Sequence, residues 1–381
     1  MTITIIMMAT TCLASSAQHE FINQQANEIM LNGDDWTALV ANMRSRHRTN
    51  HKFTIVHIGD SHIQPGIVSD ELRRLLQLHY GNGGRGLLSP LMLASTNQPH
   101  DYTLRSSASI ASYSRMLAQG SAPLKSMTGV QVRFAGNETN LTVTTKNPDD
   151  EFYRVMLFHS PGSPFTVSQQ ERELKAVNIS SHATSYVLNG VAGTATLHLT
   201  GNSYLYGIRL LNSKRGVVVD CIGNNGATYA SYCAIDAFGS QLRDLEPQLI
   251  IISLGTNEAY GRFSTITTHI DRLITAIKWA CPGAKILLTT PLETQKRHSR
   301  GFSIQSNIAE VRDLIINYGK SHHVAVWDFY RVGGGAGASA KWLDNHLMSS
   351  DRLHLTNDGY HLQGKLLASA LLSIFRGEKI D

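Results

Sequence analysis

The sequence predicts an α/β protein: a parallel sheet covered by helices, with an antiparallel β-sandwich inserted into it. Three observations carry the prediction. Short apolar runs that suit buried strands alternate with helical periodicity, once near residues 53–76 and repeatedly from residue 217 onward. Strands that alternate with helices imply right-handed crossovers and parallel pairing, with about five strands in the sheet. Between residues 95 and 212 helical periodicity gives way to short alternating runs separated by turn residues, the pattern of an antiparallel sandwich. A chain of 381 residues accommodates an interrupted domain and its insertion. The boundaries read as 1–17, 18–94, 95–212 and 213–381.

Residues 3–14 are mostly apolar and uncharged and lead to the small residues Ala14, Ser15, Ser16 and Ala17. Residues 1–17 therefore read as a secretory signal peptide, too short for a membrane span, although no Lys or Arg precedes the apolar run. The protein is expected to be exported, periplasmic or secreted, with no integral membrane segment once that peptide is removed. Residues 20–50 read as a helical lead-in, with Phe21, Ala26, Ile29, Met30, Trp36, Leu39 and Met43 as its apolar positions. A buried strand over 53–58 stops at Gly59, and the polar residues Asp60, Ser61 and His62 follow. Val68, Leu72, Leu75 and Leu76 then mark an amphipathic helix. Gly81, Gly83, Gly84 and Gly86 form a loop that lacks the context of a phosphate-binding fingerprint and is expected to shape the rim of a cleft.

Within the insertion, strands are expected over 130–134, 141–144, 153–158, 195–199 and 204–210. Turns fall at Gly136 with Asn137, at Asn147 with Pro148, and at Asn189 with Gly190. The α/β pattern resumes with strands over 217–222, 249–254, 285–290 and 324–328. Helices are expected over 235–245, 264–280, 304–318 and 359–375.

Composition narrows the function. Hydrophobic residues make up 42% and charged residues 17%, so the chain can bury a proper core. The net charge of +5 favours an anionic partner, yet the cations are scattered, with no run longer than a pair such as Lys296 and Arg297. That distribution excludes a nucleic-acid groove, which needs clustered basic and aromatic residues. Cys12 falls in the signal segment; of the others, Cys221 and Cys233 are candidates for a disulfide in an oxidising compartment. No zinc-binding spacing is present, so a structural or catalytic zinc is not expected, and no cofactor is expected either. Asn137, Asn140 and Asn178 fit the N-glycosylation pattern, which has meaning only in a eukaryotic secretory pathway.

The polar residues cluster by position. Ser61, Asn224 to Gly226, Asn257, and Asp351 with His354 all fall just past predicted strands or before the last helix. In a parallel sheet those strand ends share one edge, where ligands bind. Taken singly, Asp60, Ser61 and Asp351 could cap helices, and Asn257 could be a turn residue. Together they supply the parts of acyl transfer: a serine, a histidine base, an aspartate to orient it, and donors for an oxyanion from Ser61, Gly226 and Asn257.

The four blocks, Gly59 to His62, Gly223 to Ala227, Gly255 to Glu258 and Asp351 to His354, resemble in order and spacing those of the SGNH (GDSL-type) hydrolase superfamily. The resemblance implies a flavodoxin-like, three-layer core in which Ser61 is the nucleophile, His354 the base and Asp351 its partner. It also implies an oxyanion hole from Ser61, Gly226 and Asn257. His62 and Glu258 depart from the usual leucine and aspartate. With the inserted β-domain, they are similar to the bacterial peptidoglycan O-acetylesterase subgroup, and both are candidate substrate contacts. The implied function is a serine esterase that removes O-acetyl groups from a glycan, with an acetylated polysaccharide as partner and a carbohydrate-binding-module-like insertion. The alternatives are a plant-polysaccharide acetyl esterase, a lipase or thioesterase, and an inactive glycan-binding protein. Asp358 is expected in the first turn of the final helix, where its charge suits the helix dipole.

Overall fold

The computed structural model describes residues 19–45, 51–117, 123–261 and 263–377. The signal segment, including Cys12, lies outside them. The main sheet holds β1 (Ile29–Met30), β2 (Phe53–Gly59), β3 (Val217–Gly223), β4 (Pro247–Ser253), β5 (Lys285–Thr289) and β6 (Ala325–Trp327). Their spatial order is β3-β2-β4-β5-β6-β1. β2 to β6 pair in parallel, and β1 closes one edge antiparallel to β6. Without β1 this is the doubly wound order in which the winding reverses between the first and third strands. Those strands are β2 and β4. The sheet is thus mixed, and the expected helical lead-in is corrected. It contributes a short strand before its one α-helix, α1 (Thr37–Arg44), because the Ile29 and Met30 amides pair with an otherwise open sheet edge.

Strand residues alternate between two buried faces. Phe53, Ile55, Leu249, Ile251 and Leu287 pack with α1, α2 (Ile67–Tyr80) and α7 (Asn357–Arg376). Val56, Ile58, Ile250, Ile252 and Leu288 pack with α5 (Ile266–Ala280) and α6 (Asn307–His322). Burial on both faces explains why these strands read as continuous apolar runs. On α5 the buried residues Ile266, Ile270, Leu273, Ile274 and Ile277 follow the helical repeat, so one stripe meets the sheet.

Residues 86–211 form two antiparallel sheets. One orders its strands Arg172–Glu173, Thr166–Gln169, Thr194–Thr200, Glu138–Thr145 and Tyr102–Ser106. The other contains Ala176–Ile179, Ala183–Ala192, Phe152–His159, Tyr204–Leu211, Val130–Phe134 and Ile110–Arg115, with Gly86–Leu88 paired to Tyr204–Leu211. Alternate residues of both, Leu141, Val143, Leu197 and Leu199 against Val155, Leu157, Leu205 and Ile208, share one apolar cluster. Buried ion pairs join this region to the main layers: Arg73 of α2 holds Asp150 at 2.6 Å, and Arg209 holds Asp220 of β3 at 2.9 Å.

Three further expectations change. The loop of Gly81 to Gly86 is no rim. Asn82 bridges to Val217, at the start of β3, so the loop lies at the sheet end away from Ser61, packed against the backbone of residues 210–218. The helix expected over 235–245 is shorter, Phe238–Arg243, and a separate short helix, α3 (Tyr229–Cys233), precedes it. Residues 295–298 and 301–304 pair as a hairpin before α6. Cys221 and Cys233 are free thiols: Cys221 is buried against the Ile63 carbonyl, and Cys233 faces the His269 carbonyl from α3. No helix of the described residues is long and apolar enough to cross a membrane.

Candidate active site

The parallel register sets the site. Gly223, Gly59, Ser253, Thr289 and Trp327 stand side by side across β3, β2, β4, β5 and β6, so the loops that follow leave from one edge. Gly59 must be glycine there: a Cβ would lie 2.2 Å from Ile63 and 2.9 Å from the Ser253 carbonyl. The chain then turns at once, with the Ile63 and Gln64 amides donating to the Asp60 carbonyl at 3.1 and 3.0 Å. Ser61 projects from that turn.

Ser61 Oγ lies 2.9 Å from His354 Nε2, and His354 Nδ1 lies 2.7 Å from Asp351 Oδ2. The Asp351 contact fixes Nδ1 as the protonated nitrogen and leaves the Nε2 lone pair toward the serine hydroxyl. Asp351 Oδ1 also accepts the amides of Leu353 and His354, at 3.0 and 2.9 Å. Its partial burial favours the neutral form, but the His354 ring and these two amides outweigh that and hold the carboxyl below its ordinary range. The residues singled out 290 positions apart in sequence thus form one hydrogen-bonded chain, which can turn an alcohol into a nucleophile.

Gly226 and Asn257 stand on the neighbouring loops. Gly226 has φ +71°, a left-handed conformation at the tip of the turn closed by the Ala227 amide on the Asn224 carbonyl. Gln64, absent from the sequence reading, pins this turn. Its Oε1 accepts the Asn225 amide at 2.6 Å, and its Nε2 donates to the Asn97 carbonyl at 2.8 Å. Spacing gave the only available signal, since Gln64 lies one helical turn past Ser61. Asn257 opens α4 (Thr256–Tyr260); its Nδ2 donates to the Ala227 carbonyl at 3.0 Å and faces Asp60 Oδ2 at 3.4 Å. The second contact is long, so one N–H remains weakly engaged. A pocket of about 240 Å³, lined by Gln64, Thr96, Arg115, Leu117, Asn225 and Gly226, opens beside this loop.

Asp60 anchors the turn by accepting the His62 amide on Oδ1 at 2.9 Å. Burial, with the charge of Glu258 adding to it, pushes its carboxyl up to about 7. Burial likewise pushes Glu258 up to about 7. Glu258 does not reach the opening, which corrects its reading as a substrate contact: Oε1 accepts the Tyr229 amide at 2.7 Å at the start of α3, and Oε2 is enclosed. His62 is partly buried beside His354 and lines a small pocket with Leu353 and Leu355. Its ring lies 5.3 Å from that of His354, Nδ1 faces the Tyr360 hydroxyl at 3.3 Å, and Nε2 is enclosed without a partner. Burial holds His62 neutral, its pKa lowered to about 3, so it adds no charge beside His354. Asp358 sits in the first turn of α7, and no group of three or more metal-ligating side chains occurs among the described residues.

Comparison with known proteins found a family match over part of the chain and several similar solved structures. Residues 192–362 match the GDSL-like Lipase/Acylhydrolase family, a span that contains Gly226, Asn257, Asp351 and His354 but stops short of Ser61. The chain superposes on a solved peptidoglycan O-acetylesterase with a TM-score of 0.78 at 20% identity, covering 92% of this chain and 99% of that one. Smaller similarities include a lipase/acylhydrolase from Enterococcus faecalis at 20% identity, 41% and 76% coverage and a TM-score of 0.32. An acetyl xylan esterase matches at 14% identity, 42% and 82% coverage and 0.33. No curated protein matches the sequence. The chain therefore shares the fold of the first structure, and three of the four blocks fall within the span that matches the family.

Proposed function

We propose that this protein is an exported serine esterase that removes O-acetyl groups from a glycan, with O-acetylated peptidoglycan as its substrate. The observation that carries the reading is the Ser61–His354–Asp351 chain, with links of 2.9 and 2.7 Å, at the reversal point of a doubly wound sheet. In this reading the core is a flavodoxin-like SGNH hydrolase. The two antiparallel sheets are its inserted sandwich domain, a wall for the polymer. The apolar segment over 3–14 supports export.

The chemistry follows from the geometry. Ser61 Oγ attacks the acetyl carbonyl as its proton passes to His354 Nε2, and Asp351 stabilises the imidazolium that forms. The amides of Ser61 and Gly226 and the Asn257 side chain receive the oxyanion. The sugar hydroxyl departs with the proton from His354. Water, deprotonated by the same nitrogen, then releases acetate and restores Ser61.

The test is acetate release from O-acetylated peptidoglycan and from acetylated xylan, for wild type and Ser61→Ala. Release from peptidoglycan that disappears in the variant is the expected result. Release from xylan alone moves the substrate to plant polysaccharides. No release from either, or from simple acetyl esters, overturns the enzyme reading.

A further inference from the structure

A short run of cations lies beside the candidate site. After β5 the chain forms the hairpin of Gln295–His298 and Gly301–Ile304, a sheet of its own at the same edge as Ser61. Lys296, Arg297 and Arg300 are exposed on it, and among the described residues none of their side chains has an ion pair or a hydrogen bond. The hairpin is fastened to the loop that carries Asp351 and His354. The Gln295 amide donates to the Arg352 carbonyl at 2.9 Å, Arg352 Nη1 donates to Gln295 Oε1 at 2.8 Å, and the Arg352 guanidinium lies 4.2 Å from the Phe302 ring centre. Arg352 also has a left-handed backbone, φ +57°, so these contacts hold a strained residue between Asp351 and His354.

The arrangement gathers four permanent positive charges. Among the described residues none of the three on the hairpin is paired with a carboxylate: Asp351 is engaged by His354, and Glu293, at the base of the hairpin, is buried on the Gly337 and Ser339 amides. From β2, which delivers Ser61, to β5, which delivers the hairpin, the sheet steps across two strand spacings, a lateral offset of ~10 Å. A polymer whose ester sits at Ser61 would therefore bring its neighbouring units over the hairpin.

We propose that the Gln295–Ile304 hairpin is a docking arm for a carboxylate-bearing glycan, with Lys296, Arg297 and Arg300 meeting acidic groups that flank the acetyl ester. This rests on the proposed esterase function and extends it: the arm selects an anionic polymer over a neutral one. Exposed charges act through long-range attraction, so the selection weakens with salt.

The triple substitution Lys296→Gln, Arg297→Gln, Arg300→Gln tests it, since these side chains make no bonds the fold needs; an unchanged Tm verifies that. The readout is the ratio of kcat/KM for O-acetylated peptidoglycan to that for neutral p-nitrophenyl acetate, from about 0.02 to about 0.5 M salt. We expect the ratio to fall about 10-fold or more at low salt, through KM, and to converge with wild type at high salt. An unchanged ratio with an unchanged salt slope overturns the arm. Co-sedimentation with peptidoglycan, in a Ser61→Ala background, separates the two proposals because it needs no turnover. Binding should drop in the triple variant, and drop equally when the wall carboxylates are amidated. Binding that ignores both changes sinks the arm, whereas missing acetate release sinks the esterase reading alone.

Discussion

Two groups of carboxylates flank Ser61, and the structure treats them in opposite ways. Asp351 has half its side chain exposed and collects three donors, the His354 ring and two amides. It stays ionised. Asp60 and Glu258 are enclosed behind the turn, and burial pushes both carboxyls up to about 7 although each accepts an amide. The residue types are equivalent in sequence. Solvent access and the neighbouring imidazole decide which carboxylate can stabilise a charged imidazole and which can only brace the backbone.

The largest expected effect tests the exposed side of that contrast. Asp351→Asn should lower kcat on an acetyl ester by about 10³–10⁴-fold, because the amide no longer holds the productive imidazole tautomer. Tm should barely move, since the residue is half exposed; a large Tm loss would recast Asp351 as structural. Next, Asn257→Ala removes a donor proposed for the oxyanion, and kcat should fall about 10²–10³-fold with KM nearly constant. A change confined to KM would place Asn257 in ground-state binding instead.

The enclosed pair should register in stability. Asp60 rises from 3.8 to about 7 in the folded state, equivalent to ~4 kcal/mol of preference for the protonated form. That contribution is complete below about pH 4 and is lost as pH climbs to about 7, because the unfolded chain gives up this proton first. Asp60→Asn should therefore flatten the fall in unfolding free energy between about pH 4 and 7, measured by denaturant titration at each pH. An unaltered pH profile would mean that Asp60 is ionised in the fold. Glu258→Gln should give the smallest catalytic effect, within about 10-fold in kcat, because Gln can still accept the Tyr229 amide. A loss as large as that of Asn257→Ala would mean that the carboxylate acts on the substrate after all.

Legibility followed the range of the forces involved. The apolar runs of β2, β3, β4 and β5 were readable because both of their faces are buried. β1 was not. Its two residues are a strand only because the edge of β6 offers them partners, and no local pattern encodes that pairing. The hairpin after β5 escaped for a related reason: its exposed, charged residues have no apolar alternation to mark a strand.

The candidate site divides in the same way. Sequence alone singled out the candidate residues and placed them past strand ends, since Ser61, Gly226, Asn257, Asp351 and His354 sit in short motifs in a fixed order. Only tertiary structure decided how they stand. It closed the Ser61–His354–Asp351 chain, turned Glu258 away from the opening, set His62 beside His354, and brought Arg352 to the hairpin that carries Lys296, Arg297 and Arg300. Motifs record residue type and order along the chain. Burial, charge state and the convergence of distant loops depend on parallel register and packing across the sheet, which no short stretch of sequence contains.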